Sequence, residues 1–383
     1  MKKPDFKKKF EELLMNNTIP EKPGIKNAKF TRASKRLYTF TKENIPTKLY
    51  RYRTCADYNI QSFEEDKIYA GNPYDFNDPF DSLIYCDKQE IRKFHSEQFE
   101  NNWLVYFWNK LNDIAAEDML KEFPDREADI KKDAEEMKIQ KTWLNEEDDD
   151  AEFMEALRKC YESEGENADL LCKIYRKRKR QWLEMIEDTL NDIADIKQMF
   201  QIACFSEKKN SMLMWSHYAD NHKGFVLEYD LRKMAFPARP GIPESDNNAV
   251  YTARLFPVIY TEKRYDATQV GKYFILNNVL HTYNVLNISN PVPDVFYLLK
   301  IFLNKAKCWE YENEWRLICM DSDGEKAVNI QLRPTAIYYG SKITSSNRER
   351  LSVLAKAKQI PEYEAKVEYG NSKYSINMRK TVK

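Results

Sequence analysis

The alternating run Leu49-Tyr50-Arg51-Tyr52-Arg53 is the earliest segment whose residue types could recognise a ligand. At the two-residue period of a strand, Arg51 and Arg53 share one face, where two guanidinium forks either bind an anion or pair with acids on a neighbouring strand. Far downstream, Glu312, Glu314 and Arg316 fall on the same period. As one strand they put two carboxylates side by side, able to divide work between two reacting centres. The bland alternative is a solvated sheet face on which the acids bridge Arg316 and nearby lysines. Ser206 closes the apolar run 202–206 and precedes the polar 207–211, so its hydroxyl is either a ligand contact or a turn and capping group.

Helical spacing between Met212 and Gly224 gathers Met212, Trp215, Tyr218, Ala219 and His222 on one face, with Gly224 placed as a left-handed cap. Such a face suits a pocket or core wall in which Trp215 and Tyr218 supply rings and His222 a hydrogen-bonded imidazole. His217 and His222 lie about 140° apart around a helix, so they are not a metal pair, and His217 points elsewhere. Asn77, Asp78 and Asp81 offer oxygens to a hard cation, but Asp78-Pro79 has the signature of a helix N-cap and first helical residue. The seven cysteines contain no CxxC pair, and the nine glycines form no phosphate loop. No metal is expected.

Charge and composition restrict the partners. Sixty-one basic and sixty-one acidic residues give a formal net charge of zero, which removes the simplest argument for a nucleic-acid partner. The scattered cysteines read as reduced thiols, and neither a signal peptide nor an apolar run of about 20 residues is present, so the expectation is a cytoplasmic protein with no membrane contact. Oligomeric state is not legible.

The elements that must position these residues suggest an α+β fold, a mixed β core with a large, charged helical insertion or lobe. Residues 1–47 read as an arm or wrapping and 48–87 as the first part of the core. Residues 88–201 form the helical lobe, with an acidic run at 146–150 and a basic run at 176–180, and 202–383 complete the core. The segments Leu49–Arg53, 202–206, Phe225–Tyr229 and 314–319 are expected in one sheet. Helical material is expected from after the strand at 256–260 to about Lys307.

Five motifs carry a resemblance. LYRYR at 49–53, NPYDFNDPFD at 72–81, CFSE with MWSHYADNHKGFVLEYD in 204–230, VIYTEKRY at 258–265 and CWEYENEWRLI at 308–318 occur in the order of a bacterial family, domain of unknown function 2971, which the chain resembles. That family name implies no activity. The order of an early Arg (Arg51), a Ser ending a middle strand (Ser206) and a late Glu-x-Glu (Glu312, Glu314) is also similar to the layout of ADP-ribosyltransferases. This second resemblance implies an NAD-using transferase or glycohydrolase, a toxin or phage-defence effector. Its catalytic groups would be Glu314 and Glu312, and Arg51, Ser206, Trp215, Tyr218 and His222 would bind NAD as substrate. A protein or nucleic acid would be the acceptor. The middle motif is Phe205-Ser206-Glu207 instead of that class's Ser-Thr-Ser, and the segment between Arg51 and Ser206 is unusually long. Two other functions fit the same residues. One is a non-catalytic sensor in which Arg51 and the Trp215/Tyr218/His222 face bind a nucleotide-like anion. The other is a metal-dependent nuclease-like hydrolase using Asp78, Glu312 and Glu314.

Overall fold

The computed structural model describes residues 3–15, 28–98, 116–117, 119–136, 180, 183–184, 186–191, 196–233, 255–272, 296–320, 328–370, 372 and 374–381. The acidic run 146–150 and residues 176–179 of the basic run lie outside these; Arg180 is exposed. The described helices are α1 (Lys3–Met15), α2 (Ala28–Glu43), α3 (Asp57–Glu64), α4 (Lys88–Gln98), α5 (Glu127–Glu136), α6 (Met212–Tyr218), α7 (Tyr297–Leu303) and α8 (Ser345–Ala357). The strands are β1 (Leu49–Arg53), β2 (Lys67–Ala70), β3 (Phe200–Ser206), β4 (Phe225–Tyr229), β5 (Leu255–Pro257), β6 (Ile259–Thr261), β7 (Asn304–Ala306), β8 (Glu314–Met320), β9 (Val328–Gln331), β10 (Ala336–Tyr339), β11 (Glu362–Val367) and β12 (Ile376–Lys380). No helix among the described residues is long and apolar enough to cross a membrane.

Eight strands form one mixed sheet in the order β12-β11-β10-β4-β1-β3-β8-β5. Neighbours are antiparallel except β10 and β11, which run parallel because α8 carries the chain back between them. The four segments expected in one sheet are thus β1, β3, β4 and β8. Central strands are buried on both faces, which is why Phe225–Tyr229 and Ala336–Tyr339 are almost wholly apolar. On one face Tyr50, Tyr52, Val226 and Tyr338 pack with Met214 and Trp215. Leu49, Leu227, Tyr229, Ile337 and Tyr339 join the larger core.

The opening residues are helical. Phe6, Phe10, Leu13 and Leu14 recur at helical spacing and are buried, Phe6 stacking on Trp315 at 5.8 Å between ring centroids. The Pro20-Pro23-Gly24 punctuation, which suggests an irregular arm, falls between α1 and α2 and outside the described residues. No helix starts at Asp78-Pro79: residues 79–82 form a turn, with the Asp78 carboxylate accepting from the Phe80 amide at 2.9 Å. The expected helix up to Lys307 ends at Leu303, and the following residues form β7, parallel to β6.

Ser211 caps α6, its hydroxyl accepting from the Met214 amide. The helix stops at Tyr218 because Asp220, Asn221 and His222 all take positive φ. Left-handed backbone therefore precedes Gly224, the residue expected to provide it. Gly224 serves close packing instead: a Cβ there would lie 2.1 Å from the Arg53 carbonyl oxygen.

Candidate functional site

β1 follows β4 for five residues but meets β3 at a single register pair, Tyr50 opposite Ser206. Gly71, just past β2, takes the edge of β3 that β1 leaves, exchanging backbone hydrogen bonds with Ile202 at 2.8 and 3.2 Å. Residues from β1, α3, β2, β3 and the 71–77 segment enclose a cavity of about 810 Å³ whose wall also includes α6 and the start of β8.

One part of the wall is an ion network. The buried Arg316 guanidinium binds Asp81 with two hydrogen bonds of 2.7 and 2.5 Å and Glu314 with two of 2.8 and 3.1 Å. It also donates to the Phe302 carbonyl at 2.7 Å. Lys305 places its ammonium 2.6 Å from Glu312, 3.0 Å from Glu314 and 3.5 Å from Asp81. The Tyr218 hydroxyl donates to Glu312 at 2.6 Å, and Asn77 donates to that hydroxyl at 3.3 Å. Three carboxylates thus face two cations. Burial acts to raise the Glu314 carboxyl, but Arg316 and Lys305 outweigh it and hold the group well below the carboxylate range. At Glu312 burial wins over Lys305, and the carboxyl sits above its ordinary value. The network is close to neutral when Glu312 carries a proton.

Glu312 and Glu314 meet at Lys305 by a route other than strand alternation. Glu312 ends a 3-10 turn and β8 starts only at Glu314; between them Asn313 takes a left-handed conformation. Ser206 ties this turn to β3. Its hydroxyl donates to the Glu312 carbonyl at 2.6 Å and accepts from the Lys208 amide at 3.0 Å, the behaviour of a turn residue.

A different part of the wall carries Arg51 and Arg53. Arg51 is 8% exposed, donates to the Tyr69 carbonyl, and lies 5.8 Å from the centre of the Phe205 ring. Its Nε is buried and has no hydrogen-bond partner among the described residues. Arg53 donates to its neighbour's carbonyl at 3.1 Å, and burial lowers its pKa. Among the described residues neither guanidinium has a carboxylate partner.

Of the residues expected together on α6, Tyr218 enters the cavity and Trp215 and His222 do not. Trp215 is fully buried, edge-on to Tyr52 at 5.3 Å, with Nε1 donating to the Lys209 carbonyl. His222 lies beyond the helix end and stacks on Trp215 at 6.3 Å, its Nε2 3.3 Å from the Ser216 hydroxyl. His217, which helical spacing turns away from Tyr218, lines the cavity. Sequence reasoning weighed Asp81 only as a hard-cation ligand, beside a helix-start reading of its motif, and did not single out Lys305, which belongs to a stretch that reads as helix. Among the described residues no group of three or more His, Cys, Asp or Glu side chains is arranged to hold a metal ion.

Residues 214–317 match the model of a family described as "Protein of unknown function (DUF2971)". The matched segment holds Tyr218, Lys305, Glu312, Glu314 and Arg316; Arg51, Asp81 and Ser206 precede it. No curated protein and no solved structure matches the chain.

Proposed function

We propose that the cavity binds a nucleotide-like anion, with phosphate against Arg51 and Arg53. The observation that carries this is the state of Arg51: nine-tenths buried, with no carboxylate partner and an unpartnered Nε among the described residues. A guanidinium removed from water without a counter-charge is costly, and its planar fork matches a phosphate edge. Tyr58, Tyr69 and Phe76 supply ring faces for a base. The volume falls within the roughly 300–1,000 Å³ of cavities that enclose small organic ligands.

NAD cleavage is a second reading, supported by Arg51, Ser206, Glu312 and Glu314 all lining this cavity. In it the roles shift. Glu314 is neutralised by two cations, which leaves Glu312, with its raised pKa and its tyrosine and lysine neighbours, as the group able to exchange a proton with a substrate.

Calorimetric titration of the full chain with pyrophosphate, AMP, ADP and NAD tests the binding. Arg51→Ala is expected to weaken the tightest ligand about 10- to 100-fold. Unchanged affinity in that variant, or no binding of any of the four, overturns the proposal. Nicotinamide release from bound NAD, lost in Glu312→Gln, separates an enzyme from a binder; NAD that binds and stays intact leaves the sensor function.

A further inference from the structure

Lys209, on the loop from β3 to α6, sits among three tyrosines. Tyr50, Tyr338 and Tyr363 come together because β1, β4, β10 and β11 are consecutive in the sheet, with Tyr338 in register with Tyr363 and Tyr50 in register with Glu228. The Tyr50 and Tyr338 rings meet edge to face at 5.9 Å, and Tyr338 stacks on Tyr363 at 4.8 Å. The Lys209 ammonium lies 5.9, 5.0 and 6.0 Å from the centres of Tyr50, Tyr338 and Tyr363, each within reach of a cation–π attraction. The buried Glu228 carboxylate accepts from the Tyr338 hydroxyl at 2.6 Å and from Thr335 at 3.0 Å, and pairs with Lys48 at 3.1 Å. These bonds orient the central ring and add negative charge beside the cage.

The loop has further ties. Tyr52 donates to the Lys208 carbonyl at 2.8 Å, Trp215 to the Lys209 carbonyl at 2.9 Å, and the Lys208 amide to the Ser206 hydroxyl at 3.0 Å. The loop therefore joins two parts of the cavity wall, Ser206 before it and Tyr218 on the helix after it.

We infer that Tyr50, Tyr338 and Tyr363 form a binding site for an alkylammonium group, occupied by the chain's own Lys209, and that this occupancy holds Ser206 and Tyr218 in position. The second half rests on the cavity being a ligand site; the first half does not. Burial, and to a smaller extent Lys48, oppose the lysine's charge and lower its pKa, while Glu228 and the three rings offset part of that cost.

Removing the occupant and replacing it with a small cation tests the site. In full-length Lys209→Ala, exchange of the Lys208 and Met214 amides is expected to accelerate roughly 2- to 30-fold, the range of a lost cation–π contact. Added n-propylammonium, which matches the deleted side-chain atoms, is expected to restore protection, whereas n-propanol is not. Lys209→Arg is expected to keep wild-type exchange, and Tyr363→Leu to reproduce the defect with the lysine present. Unchanged exchange in Lys209→Ala, or equal rescue by n-propanol, overturns the cage. Faster exchange with ADP affinity equal to wild type leaves the cage standing and overturns its coupling to the cavity. Failure of the wild type to bind any anion refutes the cavity reading alone, because exchange still decides the cage.

Discussion

Two pairs of cations line the same cavity and differ in how their charge is met. Arg316 and Lys305 are buried among Asp81, Glu312 and Glu314, with bonds that engage nearly every donor. Arg51 and Arg53 have backbone carbonyls and ring faces as neighbours and no carboxylate among the described residues. Burial alone does not separate structural from functional charge: Arg316 is fully buried and Arg51 nearly so. What separates them is whether the counter-charge is built into the fold. A satisfied network fixes a wall; an unsatisfied pair is, in the proposed function, what attracts the ligand.

The sharpest test of that contrast is the pair of deletions Arg316→Met and Arg51→Ala. The first leaves the buried Asp81, Glu312 and Glu314 with Lys305 as their one remaining cation among the described residues and is expected to lower unfolding free energy by about 3–5 kcal/mol. The second removes a charge that no carboxylate stabilises and is expected to change stability by no more than about 1 kcal/mol while abolishing most ligand affinity. Denaturant unfolding reads both, and equal destabilisation would erase the distinction.

The sheet was largely legible in the sequence, and the network was not. Strand period and apolar runs marked β1 and β4 at their observed limits, and β3 and β8 within a residue or two, because those strands are buried and their patterns local. Asp81 and Arg316 are 235 residues apart and bonded to each other; no local pattern encodes such a pair. Trp215, Tyr218 and His222 do gather at one core wall, but His222 reaches it from beyond the helix end, because three consecutive left-handed residues follow Ala219. Asn and Asp are among the non-glycine residues that tolerate this conformation, so Asp220-Asn221 was a signal available to sequence reasoning. Ser206 reads in the sequence as either a ligand contact or a turn and capping group, and its hydrogen bonds are those of a turn residue.

Within the network, the two glutamates should respond unequally. Glu314→Gln removes a charge that two cations require and is expected to destabilise by about 3 kcal/mol. Glu312→Gln replaces a carboxyl whose charge is opposed by burial and is expected to cost about 1 kcal/mol. Similar losses in chemical denaturation would mean that the two carboxyls carry the same charge.

The smallest expected effect is the pH dependence of those differences. Glu314 has a depressed pKa, so its contribution is present above the ordinary value of 4.5 and declines as pH falls below it. Glu312 has a raised pKa, so its contribution is present below 4.5 and is lost as pH rises through the higher folded value. Wild type is therefore expected to lose its advantage over Glu314→Gln in acid, and Glu312→Gln to gain on wild type as pH rises from 4.5 toward neutrality. Unfolding curves for the three proteins from acid below pH 4.5 up to neutrality check the signs, and parallel profiles would refute the opposed shifts.

The position of β1 in the sheet also bears on how the chain is made. Its two neighbours are β3 and β4, so Leu49–Arg53 emerges from the ribosome long before Phe200–Ser206 and Phe225–Tyr229 exist to receive it. At ordinary elongation rates the delay is on the order of 10 to 30 s. For that interval a strand of aromatic and cationic residues waits without its sheet, and the sequence-distant pairing that follows is intrinsically slow. Nascent chains halted before Tyr229 should accordingly carry an open binding edge, which makes the middle third of synthesis the period when this protein most depends on chaperones.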